Sequence, residues 1–195
     1  MSKMVGKLVK LLMEPREFFY DAQKEDWKPA FAFFSKVTAI ISVITAVLNY
    51  LGMESTDVSS SYQAQIIAYR LVKGYLIDVC GSSAYLIEIA IIFSIASFML
   101  VLLTLFIHMI YRLMGGRGSV LNAWKAACYG IGPCLVGGFL PYVALFAAFW
   151  SFSFQLYMGP MVLYKAKEGG AMFVFVCLIA LTFIEMFITG TTVGF

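Results

Sequence analysis

Residues 126–164, AACYGIGPCLVGGFLPYVALFAAFWSFSFQLYMGPMVLY, contain no charged side chain and no histidine. As one α-helix, these 39 residues would extend roughly 58 Å at about 1.5 Å per residue, about twice the thickness of bilayer hydrocarbon. The segment therefore has to fold back on itself. Gly137-Gly138-Phe139-Leu140-Pro141 is the natural reversal, because glycine and proline together interrupt a helix, and it divides the stretch into two crossings. A hairpin this dry points to an all-α membrane protein.

Reading outward from the hairpin finds three more crossings. Upstream, residues 30–52 carry one charge, Lys36, close enough to one end to snorkel to the interface. A further span starts near Ala84, has an uncharged core over 89–107, and stops at His108, Arg112 and Gly115-Gly116. Downstream, Lys167-Glu168-Gly169-Gly170 separates the hairpin from a fifth run, 171–192, whose one charge is Glu185. Between the first two spans, residues 53–83 form an extracytoplasmic loop. Tyr62, Ile66, Tyr69, Val72, Leu76 and Val79 recur there at helical spacing, while Arg70, Lys73 and Asp78 make a crossing costly, so an interfacial helix is expected. The expected fold is a polytopic bundle of five transmembrane helices over 30–195, preceded by a cytoplasmic interfacial segment over 1–29.

That first segment places Lys3, Lys7 and Lys10 at i, i+4 and i+7 among Met4, Val5, Leu8, Leu11 and Leu12, the pattern of an amphipathic helix lying on a membrane. Anionic headgroups would attract it by roughly 1 kcal/mol per lysine. Pro15 restarts the chain as a first-turn proline, and Trp27 marks headgroup depth at the first crossing. No apolar stretch with a small-residue cleavage site occurs in these residues, so insertion is expected to use the first span itself. With the N-terminus in the cytoplasm, twelve of the fourteen lysines and arginines lie inside, and only Arg70 and Lys73 lie outside. The positive-inside rule favours that orientation, and five crossings leave the C-terminus outside.

Composition agrees with a lipid environment: 62% of the 195 residues are hydrophobic, 13% are charged, and the mean hydropathy is +0.88. The basic residues do not gather on an aromatic-lined surface, so a nucleic-acid partner is not expected. Cys128, Cys134 and Cys177 lie in apolar runs and Cys80 in the loop, with no CxxC pair to hold zinc or exchange disulfides. One histidine, His108, leaves no multi-histidine metal cage and little room for a triad, and no phosphate-binding loop or nucleophile elbow occurs. No cofactor and no catalysis are expected.

Two features carry polar chemistry inside the spans. Glu88 and Glu185 are carboxylates within the outer halves of their helices, where such groups usually face a bundle or a wet cavity. They could line one polar cavity and share a proton or a cation. Gly130, Gly132 and Pro133, with Gly137, Gly138 and Pro141 after them, concentrate helix breakers at membrane depth. Such breaks survive where protein or a cavity answers the freed carbonyls, which allows either a transport route or close helix packing around small residues.

Pro15-x-x-Phe18-Phe19 followed by Trp27, then Gly115-Gly116-x-Gly118-Ser119, Trp124, Tyr129-Gly130 and Pro133, resembles the Yip1 domain family of integral membrane proteins from about residue 11 to the end. The resemblance implies a cytoplasmic N-terminus. It also implies a non-enzymatic role in membrane organisation, shaping or vesicle transport, for which eukaryotic members bind prenylated Rab-type GTPases. The short N-terminal tail and the missing Asp-Leu-Tyr-Gly-Pro motif look more like a prokaryotic-type member, and they argue against GTPase binding. The expected partners are the bilayer and its anionic headgroups, together with a homo-oligomer or protein partner. The alternative is a small channel or transporter lined by Glu88 and Glu185.

Overall fold

The computed structural model describes residues 2–51, 63–139 and 144–191, and among these every regular element is helical. Helix α1 (Ser2–Met13) and helix α2 (Pro15–Lys24) form a short hairpin. Glu14 precedes a proline and sits outside the helical region (φ −133°, ψ 60°), which ends α1, while Pro15 opens α2 where no backbone donor is needed. Asp26 then accepts a hydrogen bond from the Trp27 amide (2.8 Å) at the start of α3 (Trp27–Tyr50).

Helix α4 (Gln63–Cys80) leads through a 3₁₀ turn (Gly81–Ser83) into α5 (Ala84–Leu113). Gly81 turns the corner at φ +58°, and Gly115 stops α5 at φ +79°, both in the left-handed region that glycine enters without strain. Next come α6 (Val120–Gly130), a turn, and α7 (Cys134–Phe139). The return leg is α8 (Ala144–Ser153), a π-helical turn (Phe154–Met158) and α9 (Gly159–Leu163), followed by α10 (Glu168–Thr191).

Packing α7 against α8, and α6 against α9, makes the pair of legs antiparallel. The helix runs through Gly137 and Gly138 to Phe139, so the expected turn does not begin at Gly137. Pro141 and the reversal itself lie outside the described residues. Helix α6 is the centre of the molecule, touching α2, α3, α5, α8, α9 and the π-helical turn. Ala123, Ala126, Ala127, Cys128 and Gly130 are buried along it, and small side chains of this kind let neighbouring backbones approach closely.

Among the described residues two stretches are long and apolar enough to cross a membrane by length and composition, Trp27–Leu48 and Leu71–Leu113, and Glu168–Leu181 is a shorter apolar helix. Only about a tenth of the most apolar part of Leu71–Leu113 is buried within the protein. Its outer surface includes Ile91, Ile95, Phe98, Leu102 and Leu105, all exposed. An apolar face of that size is what hydrocarbon, rather than water, tolerates.

Candidate functional site

The break between α6 and α7 is held by side chains from the opposite leg. Pro133 has no amide hydrogen, so the Tyr129 carbonyl takes the Gly132 amide instead (3.0 Å). Ser151 donates to the Gly130 carbonyl (2.6 Å) and the Gln155 amide nitrogen to the Ala127 carbonyl (3.3 Å). Protein groups thus answer the freed carbonyls. The space beside the glycines is filled as well: a Cβ at Gly130 would stand 2.3 Å from Gln155 Cγ and 2.9 Å from its backbone nitrogen, and one at Gly132 would stand 2.6 Å from Leu11 Cδ2.

The Leu11 contact shows what α1 does with its leucines. Leu11 is fully buried, and Met4, Leu8 and Leu12 pack partly against the same core. In α2, Phe18 meets the Tyr129 ring edge-on (centroids 4.9 Å), and Phe19 meets Phe154 (6.4 Å). The leucine face expected to lie on a membrane instead closes over the α6–α7 break, because two aromatic rings and a glycine notch offer it a dry protein surface.

Charge pairing completes the docking. Lys7 Nζ donates to both carboxylate oxygens of Glu25 (2.8 Å each) and to the Tyr129 hydroxyl (3.1 Å), and that hydroxyl donates to Glu25. Burial pushes the Glu25 carboxyl up, yet the hydrogen bonds from Lys7 and Tyr129 and the nearby positive charge of Lys7 outweigh it and hold the group below its ordinary 4.5. Lys125 Nζ donates to the Gln23 carbonyl (3.1 Å), which fastens the end of α2 to α6. Lys10 pairs with Asp21 (2.7 Å) and Arg16 with Glu168 (2.8 Å) at exposed positions.

Lys7 and Lys10, expected to meet lipid headgroups, are thus engaged inside the hairpin, and the Lys3 side chain lies outside the described residues. Residues 1–29 hold six basic and five acidic side chains, so little net positive charge is left over. What α1 presents outward is apolar: Val5 (53% exposed), Val9 (53%) and Met13 (78%), spaced by four and therefore on one stripe.

Glu88 is buried in the first turns of α5. With Lys73, Tyr85 and Ile92 it lines a cavity of about 250 Å³ between α4 and α5. Glu185 belongs to α10, but its side chain lies outside the described residues. His108 ties the C-terminal end of α5 to the end of α9 through Tyr164 (Nδ1 to hydroxyl, 2.7 Å). That hydroxyl spends its proton on the Ser119 carbonyl (2.9 Å), so it accepts from the His108 ring. Gly116 and Gly118 lie against the Tyr164 ring, and a Cβ at Gly118 would come within 2.5 Å of it. Gly116 and Gly118 of the Gly115-Gly116-x-Gly118 motif make room for an aromatic lock.

The Yip1 domain family matches residues 9–188 of the chain. The chain belongs to the Yip1 domain family. No curated protein and no solved structure matches it. The motif residues have structural work in this Yip1-family chain: Phe18, Phe19 and Tyr129 form the hairpin's dry contact, Pro133 ends α6, and Trp27, on the first turn of α3, is 38% exposed. Glu25, Ser151 and Gln155 were not singled out from the sequence. The five acids among the first 29 residues were the signal for Glu25.

Proposed function

We propose that this Yip1-family protein is a non-enzymatic, multi-pass membrane protein that organises or shapes the bilayer, as in vesicle transport, with its N-terminal hairpin as the working surface. On this reading α3, α5, the α6–α7 leg, the α8–α9 leg and α10 are five crossings. Each leg of the broken pair, 120–139 and 144–163, spans twenty residues, or roughly 30 Å at helical rise, enough for bilayer hydrocarbon. The N-terminus is cytoplasmic and the C-terminus extracytoplasmic. Segment 1–29 is a cap seated on the membrane domain rather than a separate module.

The observation that carries the reading is the exposed Val5–Val9–Met13 stripe on a helix whose other face is anchored in the bundle. Full burial of such side chains is worth about 1.5–3 kcal/mol each. The paired lysines, by contrast, have given up much of the roughly 1 kcal/mol each that anionic lipid would supply. Apolar insertion therefore dominates, and an anchored helix transmits the resulting leaflet expansion to the whole protein. Reconstituted at high density into liposomes, the wild type should narrow or tubulate them, and a Val5→Ser, Val9→Ser, Met13→Ser variant should leave them spherical. Equal vesicle shapes with both chains would reject the reading.

Burial of Glu88 favours a second reading, a small channel or transporter using Glu88 and Glu185. It predicts proton or cation flux across liposomes that falls at least tenfold in Glu88→Gln. The packed glycines and satisfied carbonyls of the α6–α7 break support the first reading over this one.

A further inference from the structure

The turns that end α5 and α9 carry basic side chains that the hairpin does not neutralise. The two turns are stitched together: the Arg117 amide donates to the Tyr164 carbonyl (2.9 Å), and a Cβ at Gly170 would stand 2.6 Å from Met114 Cε. His108 reaches the Tyr164 hydroxyl, and Arg112 follows one turn further along the same face of α5. Arg112, Arg117, Lys165 and Lys167 are thereby brought to one end of the molecule, all exposed. Among the described residues none of the four makes an ion pair or a side-chain hydrogen bond. The one carboxylate on these turns, Glu168, is taken by Arg16. Lys165 adds a second, independent observation. Bonds from the Ala166 amide to the Met161 carbonyl (3.1 Å) and from the Lys165 amide to the Val162 carbonyl (3.3 Å) close α9 as a glycine cap would. Lys165 stands there at φ +51°, the one non-glycine in the left-handed region among the described residues. Glycine takes that conformation freely, whereas a side chain makes it costly. An ammonium held on a strained turn without a partner in the fold calls for a partner outside it.

We propose that these two turns bind the phosphate of an anionic phospholipid in the cytoplasmic leaflet, an inference that rests on the membrane reading given above. The guanidinium groups of Arg112 and Arg117 match phosphate oxygens in pairs, and Lys165 and Lys167 add donors and charge. Met109 and Leu113, both exposed on the last turns of α5 beside Arg112, offer apolar surface to the first acyl carbons. A choline lipid has the same phosphate but brings its own cation into a cluster of four. An acidic protein segment matches the charge and leaves Met109 and Leu113 uncovered. Each basic side chain near a membrane surface is worth about a fivefold preference for anionic lipid. The unpaired cations therefore outweigh Lys7 and Lys10, whose charge is spent on Glu25 and Asp21.

The full chain is placed in nanodiscs of equal parts dioleoyl phosphatidylglycerol and phosphatidylcholine, released into detergent, and weighed by native mass spectrometry for retained lipid. The wild type should keep phosphatidylglycerol at least about tenfold over phosphatidylcholine, and Arg112→Gln and Lys165→Gly should each lower that ratio about fivefold. Lys165→Gly should do so while melting no lower than the wild type, because glycine relieves the turn. Lys10→Gln should leave the ratio unchanged. Equal retention of the two lipids by the wild type would overturn the site, as would an undiminished ratio in Lys165→Gly. A lower melting temperature of that variant would overturn it too, by giving the lysine to the fold, and so would a ratio that falls as far in Lys10→Gln. Release of the retained lipid by excess glycerol phosphate or polyglutamate would replace the lipid with a soluble phosphate ester or an acidic protein segment. A chain that never enters nanodiscs rejects the membrane reading itself, and a chain that enters without preference rejects only the lipid site.

Discussion

Glu25 is where the N-terminal hairpin is most sensitive to a single group. It receives two bonds from Lys7 and one from Tyr129, and the pair is about one-third exposed. Allowing for solvent screening, the interaction is worth on the order of 1 kcal/mol. Because the folded carboxyl titrates below its ordinary 4.5, its contribution is present above that value and is lost as pH falls through the lower, folded one. Glu25→Gln should therefore melt at a lower temperature than wild type at pH 7, and the gap should close as both are acidified toward pH 3. A gap that is constant with pH would show that the ion pair contributes nothing to docking. The sequence made α1's leucines and lysines visible but not their destination, because an amphipathic pattern reports a face that wants a dry partner without saying whether lipid or protein supplies it. Lys7 pairs with a carboxylate eighteen residues away, and no helical periodicity records that separation.

At the scale of elements, hydrophobic length was readable and breaks were readable in part. Expected spans at 30–52 and from Ala84 correspond to α3 at Trp27–Tyr50 and α5 at Ala84–Leu113, because uncharged runs bounded by Trp27, Gly81 and Gly115 leave little freedom in where a helix stops. The break at Gly130 to Pro133 was also legible, since proline removes a donor wherever it stands. What fills the break was not legible, because Ser151 and Gln155 meet it from the opposite leg, 21 and 28 residues beyond the carbonyls they bond. Ser151→Ala should leave the Gly130 carbonyl buried without that donor and cost about 1–3 kcal/mol. Gly130→Ala drives a methyl into the Gln155 backbone and should cost at least as much, about 1–3 kcal/mol from overpacking. Thermal melts in detergent check both. A Gly130→Ala chain as stable as wild type would show that the legs separate freely at this point.

For the whole molecule, charge makes a definite statement about the topology of the proposed reading. Twelve of fourteen basic side chains sit on the segments assigned to the cytoplasm, and the exceptions, Arg70 and Lys73, both lie on α4. The rule counts basic residues near span ends and gives acidic ones little weight, so the five acids of the hairpin do not weaken it even though they neutralise its lysines. An odd number of crossings must then separate the termini. If the α6–α7 and α8–α9 legs each traverse the bilayer, a reporter active only outside the cytoplasm should work when fused after Phe195 and fail when fused before Met1. A reporter inserted at Ala166, between α9 and α10, should also fail. If those two legs instead formed a re-entrant hairpin opening to the cytoplasm, the number of crossings would drop from five to three and the termini would still face opposite sides. The terminal fusions alone therefore cannot separate the two, and a third fusion within residues 140–143 is needed. Activity there supports two full crossings, and silence reduces the legs to a hairpin that enters and leaves from one face.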